Sequence, residues 1–316
     1  MWLKRLLLGA ALGLAAQMAQ AVDVNFGVIR GLTTSNLAND NGTLQNRLQA
    51  VGSQLKWQGP YGGTPWDALN AGQVDITFTT ATNAAAVASN SRFKIFGYQA
   101  PDLDGEGVWV KKDAGIQSLA DLKGRRIATD RGGSGHHVLL KALDKAGLSL
   151  KDVQVSYFEP ADALAAFNGG QVDALATWRT FGASAEAKGG GVKLVSGRDV
   201  GSENVLIYIV REAFAKDHPE AVKAVFEALR ESAAQSARDP EATARVWARL
   251  GGLPIEQARI FVPPASREFL PVTAALVPTL EQTASLFVKY KVIPKVPSYA
   301  PLILDVNPIT PIRHQY

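Results

Sequence analysis

Three short stretches of the chain collect residues whose types and spacing suit the capture of a small anion. The first is Asp130-Arg131-Gly132-Gly133-Ser134-Gly135, followed by His136 and His137. Glycines at 132, 133 and 135 let the backbone approach a ligand with no side chain in the way. A helix beginning there leaves its first N–H groups unpaired, and its aligned peptide dipoles place about half a positive charge at that end. A sulfonate, phosphate, nitrate or carboxylate would be held by such a helix start, with Ser134 as an extra donor. The second stretch, Thr79-Thr80-Ala81-Thr82-Asn83, is rich in hydroxyls, and the third is Thr177-Trp178-Arg179-Thr180.

Other chemistries fit less well. A glycine-rich strand-to-helix turn is also an ordinary connector in any α/β protein. Gly-Gly-Ser-Gly is neither a dinucleotide fingerprint nor a phosphate loop with its Lys-Ser/Thr pair. His136 and His137 are adjacent and point in different directions on a helix, so a structural role is expected for them and no metal site. With no cysteine, no G-x-S-x-G elbow and no H-E-x-x-H helix, an enzyme is not expected. Asp102 and Asp104 lie in a turn and read as solvated carboxylates, and Trp57, Trp66, Trp109 and Trp247 read mainly as core.

Placing these stretches requires alternating strands and helices. Apolar periodicity predicts strands over 24–29, 54–57, 74–78 and 93–98, with helices over 43–51, 66–71 and 83–89 between them. It predicts further strands over 108–111, 126–129, 153–158, 174–177 and 192–195, and helices over 136–146 and 162–167. Gly147 stops the first of these helices. A strand-like run over 204–210 leads to long helices over 218–237, 241–250 and 272–290. Such βα units imply open sheets that bind ligands beyond the carboxyl ends of their strands. Leu69-Asn70-Ala71-Gly72-Gln73-Val74-Asp75 recurs as Phe167-Asn168-Gly169-Gly170-Gln171-Val172-Asp173, which points to two similarly built lobes and makes the loops after the two strands equivalent. The first lobe is expected over 22–104 and 205–293 and the second over 105–204. Crossings near Asp104 and Asn204 form a two-strand hinge, and 294–316 an extended, weakly structured tail.

The chain has 316 residues, 47% hydrophobic and 20% charged, enough for one large or two ordinary domains. Residues 1–21 read as a secretory signal peptide: Lys4 and Arg5, an apolar run over 6–16, and a small-x-small site that predicts cleavage after Ala21. The absence of cysteine removes disulfides and a lipid-anchoring thiol together, so a free periplasmic protein is expected. A net charge of +4, with no basic stripe, argues against nucleic acid as a partner.

The chain resembles the periplasmic binding proteins of the aliphatic sulfonate, taurine and nitrate type that serve ABC importers. The resemblance runs from about Val24 to Pro294. It is carried by Asn41-Gly42-Thr43-Leu44, Ser118-Leu119-Ala120-Asp121-Leu122-Lys123-Gly124, Gly133-Ser134 with His136, Pro160-Ala161-Asp162-Ala163, Val172-Asp173-Ala174, Trp178 and His218-Pro219-Glu220. It implies a type II periplasmic binding fold whose two α/β lobes close on a small anionic ligand. That ligand would be an alkyl- or aryl-sulfonate, taurine or a sulfate ester, the alternatives being nitrate, a thiamine-pyrimidine precursor or an enzyme on the same fold. The protein would act as a monomer without a cofactor and deliver its ligand to an inner-membrane permease with a cytoplasmic ATPase.

The ligand-contacting positions it implies are Thr80 and Thr82 in the first lobe and Gly133, Ser134, Gly135 and His136 in the second, with Trp178 beside them. Arg30, Thr33 and Thr34 follow the first strand, and Asn204 lies at the hinge. Two departures bear on the ligand. Relatives commonly follow the tryptophan with Asp-Pro, where this chain has Arg179-Thr180; Arg179 either pairs with an oxyanion or sits at the surface. Asn83 stands where relatives have proline, adding an amide near the pocket.

Overall fold

Burial along the strand Leu206–Arg211 shows how the first sheet is built: Ile207 and Ile209 join one apolar cluster, Tyr208 and Val210 the cluster on the opposite face. Successive side chains of a strand point to opposite faces, so a sheet covered on both sides needs apolar residues at nearly every position. The computed structural model describes residues 21–29, 31–89, 92–265 and 267–307. The expected signal peptide lies outside the described residues except for Ala21.

Among the described residues eleven strands form two sheets. They are β1 (Val22–Ile29), β2 (Ser53–Tyr61), β3 (Ile76–Thr80), β4 (Phe93–Gln99), β5 (Gly107–Lys111), β6 (Arg126–Thr129), β7 (Gln154–Tyr157), β8 (Ala174–Thr177), β9 (Gly191–Ser196), β10 (Leu206–Arg211) and β11 (Phe269–Pro271). The first sheet has the order β11-β4-β10-β3-β1-β2 and the second β7-β6-β8-β5-β9. In the first, β1 runs parallel to β2 and β3, and β10 lies antiparallel between β3 and β4. The second repeats the plan, with β6 parallel to β7 and β8 and β5 antiparallel between β8 and β9. The chain leaves the first sheet after β4 and returns at β10, so two segments, 100–106 and 201–205, cross between the lobes.

The repeated seven-residue segment makes the same joint in each lobe. Gly72 and Gly170 adopt φ of +75° and +72°, turning the chain from helix into strand. Asp75 then accepts the backbone N–H of Asn25 in β1 at 3.1 Å and pairs with Arg211 at 2.7 Å. Asp173 accepts the backbone N–H of Arg126 in β6 at 2.9 Å and pairs with the same residue's guanidinium at 2.7 Å. Each carboxylate thus fixes the central parallel strand against the next.

Several elements differ from expectation. Helices Thr34–Asp40 and Arg179–Gly189 form where only loops were read, because their polar and small residues carry little apolar periodicity. The last long helix starts at Val277 rather than 272, after β11 and a tight turn over Ala274–Leu276. The tail expected to be weakly structured is anchored as far as residue 307. Tyr299 and Val306 are buried, Ile303 bridges to Ile95, and Lys94 and Lys223 donate to the carbonyls of Pro301 and Val306.

The two aspartates of the repeat differ in burial, at 3% exposed for Asp75 and 22% for Asp173. Breaking a buried pair leaves an uncompensated charge, so Asp75→Ala is expected to cost about 3 kcal/mol in urea unfolding. Asp173→Ala is expected to cost about 1 kcal/mol. Equal losses would show that burial does not decide the strength of this joint.

Candidate functional site

The loops beyond the parallel strands of the two lobes face one another across a cavity of about 650 Å³, within the range of small-molecule sites. Its floor is organised by Asn204, which is 2% exposed in the second crossing segment. The Asn204 Nδ2 group donates to Glu106 Oε1 and to Ser134 Oγ, each at 2.8 Å, and its Oδ1 accepts from the Thr82 N–H at 3.3 Å. One amide therefore ties a helix start in each lobe to the other crossing segment.

From the first lobe, Thr33 and Thr80 reach the cavity, as does Asn83. The Thr80 hydroxyl lies 2.8 Å from that of Thr82, which is itself fully buried behind the wall. Thr34 is also buried and donates its hydroxyl to Gln99 Oε1 at 3.0 Å. Thr82 and Thr34 are thus supports rather than lining groups, a correction to the expected set. Arg30 lies outside the described residues.

The glycine-rich loop differs more sharply. The Asp130 carboxylate turns into the start of the helix Ser134–Ala146, where the N–H groups of Gly135 and His136 favour its charged form. A Cβ at Gly133 would lie 1.6 Å from Asp130 Oδ2, and one at Gly135 2.5 Å from Oδ1. These glycines make room for the chain's own carboxylate, and the helix start expected to hold an external anion is occupied by it. Gly133 and Gly135 accordingly do not line the cavity, whereas Ser134 does.

His136 is fully buried behind the loop. Its Nδ1 accepts from the Gly132 N–H at 3.1 Å and its Nε2 lies 3.1 Å from the Tyr157 hydroxyl. Burial, with the charges of Arg131 and His137, pulls its pKa down to about 4, so it is neutral at pH 7 and supports the loop from behind.

Two acidic groups escaped sequence reasoning. Burial pushes Asp130 up to about 6, against the backbone N–H bonds that lower it. Burial likewise pushes Glu106, 4% exposed, up to about 7, although Ser202 and Asn204 donate to it. Both face the cavity. Asp130 stands two residues before the first glycine of the loop, where its capping potential was the available signal; Glu106 left none.

At the mouth, Trp178 precedes the helix Arg179–Gly189, whose first turn has no acidic residue and no side-chain cap. Arg179 lines the cavity, yet its guanidinium forks onto Asp102 at 2.8 and 2.6 Å. Asp102 also takes Arg267 Nη2 at 2.6 Å. Burial would raise the Asp102 carboxyl, but the hydrogen bonds and charges of the two arginines outweigh it and hold it below the usual range. Asp102, expected to be solvated, is therefore an ion-pair hub. Asp104 meets that expectation more nearly, pairing with Arg198 at the surface. Arg131 stands over the Tyr157 ring, 3.9 Å from its centroid, with no carboxylate partner among the described residues. Among the described residues no His, Asp and Glu group could hold a metal ion.

Two lobes of repeated topology, joined by two crossing segments with a ligand-sized cavity at the joint, define the class of two-lobe periplasmic binding proteins. Residues 58–243 match the family described as NMT1/THI5 like. A relative from Escherichia coli (strain K12) named for aliphatic sulfonates binding is 30% identical over 277 residues, covering 86% of this chain and 85% of its own. The chain belongs to this family. The alkanesulfonate-binding protein SsuA from Xanthomonas axonopodis pv. citri, solved bound to MOPS, superposes with a TM-score of 0.81 at 27% identity, over 90% of this chain and 99% of that one. The desulfurization enzyme DszB, at 16% identity, TM-score 0.70 and coverage of 90% and 96%, shares the fold alone.

Glu106 has a directly measurable consequence. A carboxyl raised in the folded state contributes stability that is present below about 4.5 and lost as pH rises through about 7. Glu106→Gln keeps an acceptor for Asn204 and a donor for Ser202 but does not titrate. Melting temperature against pH is therefore expected to fall less steeply across that window in the variant, and parallel curves would contradict the assignment.

Proposed function

We propose that this protein is the solute-capturing component of an ABC importer, closing its lobes on a small organic compound that bears an oxyanion. The ligand class is an aliphatic or aryl sulfonate, taurine or a sulfate ester. In this reading the chain is exported, cleaved after Ala21, and works as a monomer in the periplasm, handing its ligand to a permease served by a cytoplasmic ATPase.

The observation that carries the reading is a guanidinium without an acidic partner among the described residues, Arg131, at the mouth of an aromatic-walled cavity. Arg131 and the uncapped start of the helix Arg179–Gly189 offer charge and N–H groups to the oxyanion. Trp66, Tyr157, Phe158 and Trp178 offer apolar surface to the organic part. The sulfonate named for the Escherichia coli relative and the MOPS bound to the Xanthomonas protein support the same class. Charge-assisted hydrogen bonds contribute about 1.5–3 kcal/mol each, so three of them sustain micromolar retention after the losses of immobilisation. Capture requires no catalytic group, and the chain has no cysteine to act as a nucleophile.

The two raised carboxyls give capture a pH dependence. Protonation of Glu106 below about 7 and of Asp130 below about 6 removes negative charge from the cavity, while a sulfonate and an arginine keep theirs. Affinity for sulfonates is expected to rise as pH falls through that range. A ligand at 100 times its dissociation constant adds about 2.7 kcal/mol to stability. A thermal-shift screen is therefore expected to register sulfonates and sulfate esters, with Arg131→Ala weakening them about tenfold. Stabilisation by neutral or cationic compounds alone would overturn the reading.

A further inference from the structure

The ion pairs at the cleft mouth run in a chain from one lobe to the other. Arg267, just before β11 in the first lobe, donates to Asp102 Oδ1 at 2.6 Å. Asp102, in the first crossing segment, takes the fork of Arg179, the first residue of a helix in the second lobe. The remaining terminal nitrogen of Arg179, Nη1, donates across the cleft to the Ile260 carbonyl of the first lobe at 3.3 Å. Whichever side of Asp102 the hinge bends, opening the cleft breaks one link of this chain, and it breaks the Arg179–Ile260 contact in either case.

These links are shielded in a way that makes them count. Asp102, Arg179 and Arg267 are 20%, 17% and 23% exposed, so solvent and salt screen them less than an open surface pair. Arg198–Asp104 is an internal contrast: the same chemistry on the same crossing segment, but 62% and 61% exposed and, among the described residues, without an ion pair to the opposing lobe.

We propose that Arg179, Asp102 and Arg267 form a latch across the cleft mouth that biases the lobes toward closure and sets how tightly ligand is retained. Arg179 is then a positioning residue that acts on ligand through closure, because its fork is committed to Asp102. The affinity part of this inference rests on the capture reading of the cleft; the closure part does not.

Asp102→Asn separates the latch from simple electrostatics. If Arg179 were a direct oxyanion partner, removing the nearby carboxylate would strengthen anion binding; the latch requires weaker binding. The chain has no cysteine, so Lys188→Cys and Gln257→Cys, on exposed positions of opposite lobes, provide a unique pair for spin labels. In the ligand-free protein, Asp102→Asn, Arg179→Ala and Arg267→Ala are expected to lengthen and broaden the inter-lobe distance distribution, while Arg198→Ala leaves it unchanged. With ethanesulfonate as probe, Asp102→Asn is expected to raise the dissociation constant about fivefold. Circular dichroism melting confirms that each variant is folded. Unchanged distances in all three variants, or tighter ethanesulfonate binding by Asp102→Asn, would overturn the latch. Failure of the parent protein to bind ethanesulfonate would count against the capture reading while the distances still decide the latch.

Discussion

One buried amide holds the working parts of this molecule in register. Asn204 spends both of its N–H groups and its oxygen on three partners, Glu106, Ser134 and the Thr82 backbone, drawn from the first crossing segment and a helix start in each lobe. A buried polar group left unpaired costs about 1–3 kcal/mol, so the geometry in which all three bonds form is strongly selected over its neighbours. The cavity floor is consequently a fixed point, and the flanking loops are placed by their distance from it.

A second constraint follows from what fills the helix start at Ser134. An N-terminus that could have neutralised a ligand's charge instead accepts Asp130, and the glycines around it are the space that carboxylate needs. In the proposed capture, charge recognition is thereby displaced toward the mouth, to Arg131 and the helix start at Arg179. The interior is left with two carboxyls poised near neutrality. The cavity is polarised along its depth, which constrains a captured molecule's orientation more than a uniformly basic pocket would.

Much of the fold was legible in the sequence because it rests on local patterns. β6 and β8 fall where apolar runs are bounded by charged, glycine or aspartate residues, and the repeated Leu69–Asp75 and Phe167–Asp173 segments announced the duplicated lobe plan. The helix Arg179–Gly189 was hidden because it buries only Gly182 and Ala185, and a Cβ at Gly182 would lie 2.1 Å from the Trp109 ring. Within the site, Thr80, Ser134, Trp178 and Arg179 were picked out by type and loop position and Thr33 and Asn204 through the family resemblance, and these six residues lie along the cavity. The employment of Arg179 was not legible, since its partner Asp102 is 77 residues away and Arg267 lies 165 residues from that same carboxylate. Nor was the raised state of Glu106, which arises only when two crossing segments enclose it.

The central claim, capture of an organic oxyanion between the lobes, is most directly tested by tryptophan fluorescence during a titration with an alkanesulfonate. Trp66 and Trp178 line the cavity, whereas Trp109 and Trp247 are buried in separate apolar clusters and Trp57 stacks on Phe26. A saturable, single-site change that disappears in the Trp66→Phe/Trp178→Phe protein is the predicted result. A flat titration of the folded parent protein, or a change that survives in the double variant, would contradict it.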